Sequence, residues 1–315
     1  MSNELAIVIP AYKIDFFDDV LASLNAQTCK RFNVYVGIDA SRFDFESVIN
    51  RYSKSINIMC KRFDSNLGGK DLVAQWNRCM QLTQGEKWVM LFSDDDRLES
   101  CCVERFYEEM EADEKCHRKC DLYHFDVDVI DGHNNIIRQT RQYPSTYESV
   151  DFLKDKCKAR IESFVVEYVF RRSEFDACGG FEHFDMAWGS DIATWAKIGR
   201  NNGIRTISGA KVMWRASDMN ITPDTSRGKI ARKLAADAKF LKWCRDNFKE
   251  VTLGDTYYYM FRLLFHYSPY IKKNDLTAMV KPFYSPSISG RALFFAIKAC
   301  YPAFGFANRL MHHSL

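Results

Sequence analysis

Three consecutive aspartates, Asp94, Asp95 and Asp96, follow an apolar run in the stretch WVMLFSDDDRL. Like charges this close repel, so an ordered chain must compensate for them. A solvated turn at a helix N-terminus would do so, because capping and the dipole favour aspartate there. A pair of carboxylates for general acid and base work is a second solution. A third is a divalent cation, Mn2+ or Mg2+, held by hard oxygen ligands and gripping phosphate oxygens in turn. Tyr12, Asp39, Asp191 and Arg215 also have side chains suited to stacking, hydrogen bonding, proton transfer or anion binding.

The elements that must position these residues alternate through the first hundred positions. LAIVIPAY (5–12), NVYVGIDAS (33–41), INIMCKRF (56–63) and KWVMLF (87–92) read as strands. Helical spacing of Phe16, Val20, Leu21 and Leu24 places a helix after the first strand, and another runs from the glycine turn SNLGGKD to about Leu82. Apolar strands joined by helices predict an α/β fold whose mostly parallel sheet is covered on both faces. Ligands of such sheets bind beyond the carboxyl ends of the strands, where Tyr12, Asp39 and Asp94–Asp96 all fall. The middle, about 118–224, mixes helices with the strands DLYHFDVDVI, FVVEYVFR and RTISGAKVMWR, predicting an extended mixed sheet.

With 315 residues, 47% of them hydrophobic, the chain can bury a sizeable core. Its formal charge of +3 is unevenly spread: residues 225–315 hold 15 Lys/Arg against 5 Asp/Glu, leaving 29 against 36 before them. An acidic body with a basic end points that end towards an anionic surface. Eleven scattered cysteines, an odd number with no secretory signal ahead of them, read as reduced thiols in the cytoplasm. Cys116, His117 and Cys120 lack a second pair at zinc-finger spacing. No apolar run reaches the roughly 18 residues of a membrane span.

In order, VIPAYK, a strand ending in IDAS, NLGG, QWN and the aspartate cluster resemble the family 2 glycosyltransferases, with their GT-A nucleotide-sugar-binding fold. The matching positions are Pro10, Ala11 and Tyr12; Asp39, Ala40 and Ser41; Asn66, Gly68 and Asn77; and Asp94 with Asp96 for the DxD motif. FRRSEFDACGGF (170–181) is similar to the segment before the acceptor site, and WGSDIATWAKIG (188–199) to the acidic helix start that carries the catalytic base. Three positions depart from the pattern. Ile38-Asp39 replaces a paired Asp-Asp, Ser190-Asp191 replaces Glu-Asp, and Asp95 makes the DxD register ambiguous.

The resemblance implies an inverting transfer of sugar from a nucleotide-diphosphate donor, a UDP-sugar, to a glycan or polyprenyl-linked acceptor, as in bacterial surface polysaccharide synthesis. Tyr12 would stack on the base and Asp39 would accept from uracil N–H. Lys70 would reach the base or a phosphate. Asp94 and Asp96 would bind ribose and the Mn2+ or Mg2+ ion. Arg215 would hold the diphosphate bidentately. Asp191 would be the general base, its pKa raised by Trp188 and Trp195, with Trp188 and Gly189 on the acceptor side. Helix N-capping by Asp191 is compatible with that role.

The chain therefore divides into a catalytic domain, 1–224, with a nucleotide-binding half (1–100) and an acceptor half (101–224). A helical, basic and aromatic region follows (225–315). Stretches such as YYYMFRLLFHYSPYIKK make 257–315 either a peripheral membrane contact on the inner face of the membrane or helices packed on the catalytic domain. No nucleic-acid recognition motif is present. A sugar-phosphate nucleotidyltransferase would want a glycine- and arginine-rich loop after the first strand, and AYKIDFFDD is not one. A nucleotide- or glycan-binding protein without catalysis is the third reading.

Overall fold

Residues with alternating burial set the centre of the sheet. In β1 (Leu5–Ala11), Leu5, Ile7 and Ile9 enter one core while Ala6 and Val8 enter the other, so both faces are covered. The computed structural model describes residues 3–217 and 226–270, with positions 280, 295, 299, 301 and 303.

Beside β1 lie β2 (Phe32–Ile38) and β4 (Trp88–Leu91), both parallel to it, and β3 (Ile58–Arg62) continues outward from β2 in the same sense. Four short strands, β5 (Arg97–Leu98), β7 (Ile136–Gln139), β8 (Thr146–Tyr147) and β9 (Tyr168–Arg171), join two long ones, β6 (Leu122–Ile130) and β10 (Ile204–Arg215). The sheet runs β3-β2-β1-β4-β9-β6-β10-β5, with β7 on β6 and β8 on β10. β9 is antiparallel to both β4 and β6, so it divides two parallel sections of one mixed sheet.

One face is covered by α1 (Phe17–Asn25), α2 (Phe45–Tyr52) and α4 (Cys102–Lys115). The other carries α3 (Leu72–Met80), α5 (Ser149–Cys157), α6 (Arg172–Ala177) and α7 (Ser190–Ile198). Two helices from the basic region, α8 (Arg227–Asn247) and α9 (Leu253–Tyr267), join this second core through Ile230, Leu234, Leu241, Cys244, Met260 and Leu264. A capping box fixes the start of α9: Thr252 Oγ1 accepts from Asp255 N–H, and Asp255 Oδ2 accepts from Thr252 N–H.

The mixed α/β architecture is the one expected from the sequence, with one local difference. FVVEYVFR forms a strand only from Tyr168; Phe164, Val165 and Val166 are loop and line the cleft described below. The 257–315 stretch falls mostly outside the described residues. No helix among the described residues is long and apolar enough to cross a membrane.

Candidate active site

β1, β2 and β4 end together, and a cleft of about 760 Å3 opens beyond them. Asp94, Asp95 and Asp96 form its floor and are all buried. Asp94 Oδ2 accepts from the backbone N–H groups of Tyr12 and Lys13, both at 2.7 Å, which ties the end of β1 to the end of β4. Asp96 Oδ1 accepts from Arg215 N–H at 2.6 Å, which ties in β10. The Ser93 hydroxyl lies 2.9 Å from Asp95 Oδ1 and 2.6 Å from Asp96 Oδ2. It has one proton, so it can serve only one of the two carboxylates.

Among the described residues, Asp95 is the one of the three with an ion pair, to Lys13 Nζ at 3.8 Å. Burial first, and the neighbouring Asp95 second, push Asp94 up to about 6 and hold Asp96 well above the carboxylate range. Lys13 also acts on Asp94 and Arg215 on Asp96, but neither carboxylate has an ion pair of its own among the described residues. Among the described residues no group of three or more His, Cys, Asp or Glu side chains could hold a metal ion alone. The donor set fits a hard divalent cation that takes one or two carboxylates and completes its shell from substrate phosphates and water.

The nucleotide end of the cleft is built around Tyr12 and the glycine turn. Tyr12 is 52% exposed, with Pro10 and Ala11 before it, and presents a free-standing aromatic face to the cleft. Asp39 is turned into the protein. Its Oδ1 accepts from Leu67 N–H and from Arg78 Nη2, and Oδ2 from Gly68 N–H, all at 2.7 Å. Three of its roughly four acceptor positions thus hold the SNLGG loop in place. Asn66 closes that loop by accepting from Gly69 N–H and donating to Asp39 O. A Cβ at Gly68 would stand 2.8 Å from Asp39 Oδ2, so the close approach of loop and carboxylate requires glycine.

Two expected phosphate contacts are placed elsewhere. Lys70 is exposed and is not part of the cleft lining. Arg215 is fully enclosed, behind the aspartates. Its guanidinium donates to Asp95 O, Asp131 O, Asn134 Oδ1 and Asp19 Oδ2, and lies 4.1 Å from the Phe16 ring centre. Its function is to brace the aspartate turn from within. Replacing it with Met removes four hydrogen bonds and leaves the buried Asp95 carbonyl unmatched, so Arg215→Met should destabilise the fold by about 3–5 kcal/mol in urea unfolding. A change below about 1 kcal/mol would contradict the bracing role.

At the far end, Asp191 stands in the first turn of α7, half-buried and facing the cleft. Burial raises its pKa to about 6, offset in part by the Ile192 N–H and by Lys156. The segment before it is strained: Met186 (φ 60°) and Ala187 (φ 57°) are both left-handed without being glycine. Gly189 (φ 88°) follows, and a Cβ there would press on the Phe240 ring at 3.1 Å. Trp188 and Gly189 line the cleft as expected. Trp195 does not: it is fully buried, stacked on Tyr168 with ring centres 4.8 Å apart, and contributes to the core.

Several cleft residues were not singled out from the sequence. Lys13 and Ser93 adjoin motif residues and carry no signal of their own. Lys156, Asp237, Phe240 and Tyr259 come from α5, α8 and α9. Asp237 did leave a trace: it falls three residues after Leu234 and four before Leu241, a carboxylate on the apolar face of an otherwise basic helix.

Residues 6–172 match the family model for glycosyl transferase family 2. No curated protein matches the chain. Among solved structures, residues 1–349 of TarS from S. aureus, in complex with UDP-GlcNAc, align with a TM-score of 0.57 at 14% identity, covering 98% of this chain and 89% of that one. The mannosyltransferase PcManGT from Pyrobaculum calidifontis, in complex with GDP-Man and Mn2+, aligns with a TM-score of 0.53 at 12% identity, covering 98% and 85%. At such identities the likeness shows the GT-A fold.

Proposed function

The chain belongs to glycosyl transferase family 2, and from that premise we propose that it is an inverting glycosyltransferase that moves a sugar from a UDP-sugar to a hydroxyl of a glycan or lipid-linked acceptor. A role in bacterial surface polysaccharide synthesis belongs to the same reading. The supporting observation is the pairing, in one cleft, of a buried aspartate cluster with Asp191, a carboxylate at the far end whose proton affinity suits a base near neutral pH.

In this reading the base of the nucleotide lies against Tyr12, over the loop that Asp39 and Asn66 hold. Asp94 and Asp96 would hold a divalent cation, which supplies Lewis-acid stabilisation to the departing diphosphate. Asp95 keeps Lys13 beside the same oxygens. Asp191 takes the proton of the acceptor hydroxyl as that oxygen attacks the anomeric carbon opposite the leaving phosphate. One displacement inverts the anomeric centre. The walls Phe164, Trp188 and Trp214 limit the access of water, which would otherwise compete as acceptor.

A thermal-shift panel of UDP and GDP, with and without Mn2+, tests the donor half directly. A nucleotide at about 100 times its Kd should stabilise the protein by about 2.7 kcal/mol, a shift of several degrees. The expected result is a larger shift with UDP plus Mn2+ than with UDP alone. GDP outperforming UDP would overturn the uridine assignment, and no metal-dependent shift with either nucleotide would sink the donor site.

A further inference from the structure

Resting on the donor and base assignments above, we propose that the end of the cleft enclosed by α5, α8 and α9 is the acceptor subsite, where Asp237 Oδ1 accepts a hydrogen bond from a ring hydroxyl of a neutral pyranoside.

Asp237 is 3% exposed, and its Oδ2 accepts from Trp188 Nε1 at 3.0 Å. Its Oδ1 has no hydrogen bond among the described residues, although the residue lines the cleft. A carboxylate this enclosed is costly unless both oxygens find donors. Burial raises its pKa to about 7, offset in part by the Trp188 N–H and by Lys156 and Lys233. The Tyr259 hydroxyl is within electrostatic reach of Asp237 and likewise has no partner among the described residues. Lys156 lines the same space and has no ion pair among the described residues, yet its charge acts on both Asp237 and Asp191.

The surroundings select the class of occupant. Phosphate or carboxylate groups would meet the carboxylates of Asp191 and Asp237, both in the lining. An amine would meet Lys156, which lines the cleft and acts on Asp237. A neutral polyol avoids both conflicts: its hydroxyls donate to Asp237 and accept from Lys156, while its C–H faces meet Trp188, Phe240 and Tyr259. The strained turn at Met186 and Ala187 borders this same end of the cleft, as strained backbone does at ligand clamps.

The test measures transfer from whichever of UDP-glucose, UDP-galactose, UDP-N-acetylglucosamine and GDP-mannose gives the largest thermal shift to methyl pyranosides of glucose, galactose, mannose and N-acetylglucosamine. Losing a hydrogen bond to a charged group should raise the acceptor KM of Asp237→Asn by about 10- to 100-fold, with the donor KM little changed. Trp188→Phe, which removes only the N–H that orients Asp237, should act in the same direction but less strongly. Melting curves of both variants check that the fold persists. An unchanged acceptor KM overturns the proposal. So does a rise in donor KM instead, which would place the donor sugar at Asp237. It also fails if the wild type binds donor nucleotide while saturation-transfer NMR detects none of the four pyranosides. If the wild type binds no nucleotide sugar at all, the donor assignment has failed and this proposal goes with it.

Discussion

Asp191→Asn should reduce transfer by about 10^2- to 10^4-fold while leaving the nucleotide-induced thermal shift intact, because the amide cannot accept the hydroxyl proton and Asp191 does not touch the donor end. The same assignment fixes the sign of the pH dependence. A base works only when unprotonated, and burial raises Asp191 to about 6. The kcat/KM of the wild type should therefore be flat above that value and fall about tenfold per pH unit below it. Lys156 holds the pKa down and should, when replaced by Met, move the break in the profile upward. The variant is also a control on folding. The native pKa of Asp191 lies above its usual value of 3.8, so the charged form opposes folding once pH exceeds that value, and fully so above about 6. Asp191→Asn should accordingly melt no lower than the wild type at pH 7.5. Transfer within threefold of wild type would remove Asp191 as the base.

The second large effect is expected at Asp96. Asp96→Asn keeps a carbonyl oxygen for the Arg215 N–H and so should preserve the junction of β10 with the aspartate turn. It removes one of the two charges left without an ion pair. If those charges hold a cation that stabilises the departing diphosphate, turnover should fall by about 10^2- to 10^3-fold. The Mn2+-dependent part of the nucleotide thermal shift should vanish, while the metal-independent part remains. Ser93→Ala would make a useful companion, because its one hydroxyl proton can serve only one of Asp95 and Asp96. Full Mn2+ dependence in Asp96→Asn, with turnover near wild type, would show that the cation is held elsewhere.

The parts legible in sequence were those in which backbone position alone determines the outcome. β1, β2 and β4 are covered on both faces, so their apolar runs are nearly continuous and their ends locate Tyr12, Asp39 and Asp94–Asp96 without reference to any side-chain angle. The direction of a side chain was not legible. A strand-end arginine has the same sequence signature whether its guanidinium enters a cleft or, as in Arg215, turns inward to brace a loop. Asp39 presents the same difficulty, since its partners Leu67, Gly68 and Arg78 come from a loop and helix that tertiary packing brings back to it. Phe164–Val166 has strand-like composition but forms a wall of the cleft, because apolar β-branched residues suit either setting. The site's outer end was least visible. Two of its three helices, α8 and α9, lie beyond the residues that match the family, and in them Asp237, out of pattern on an apolar helix face, was the signal.

The left-handed pair at Met186 and Ala187 has a practical consequence for anyone stabilising this protein. Each non-glycine residue in that conformation costs about 1–2 kcal/mol. Glycine at either position would recover most of that, less about 0.5–1 kcal/mol of extra unfolded-state entropy. Screens for heat-resistant variants should therefore be drawn to these two codons. The turn borders the cleft two residues before Gly189, so the gain in melting temperature should come with weaker catalysis. Selection on stability alone would relax the part of the chain that function keeps under tension.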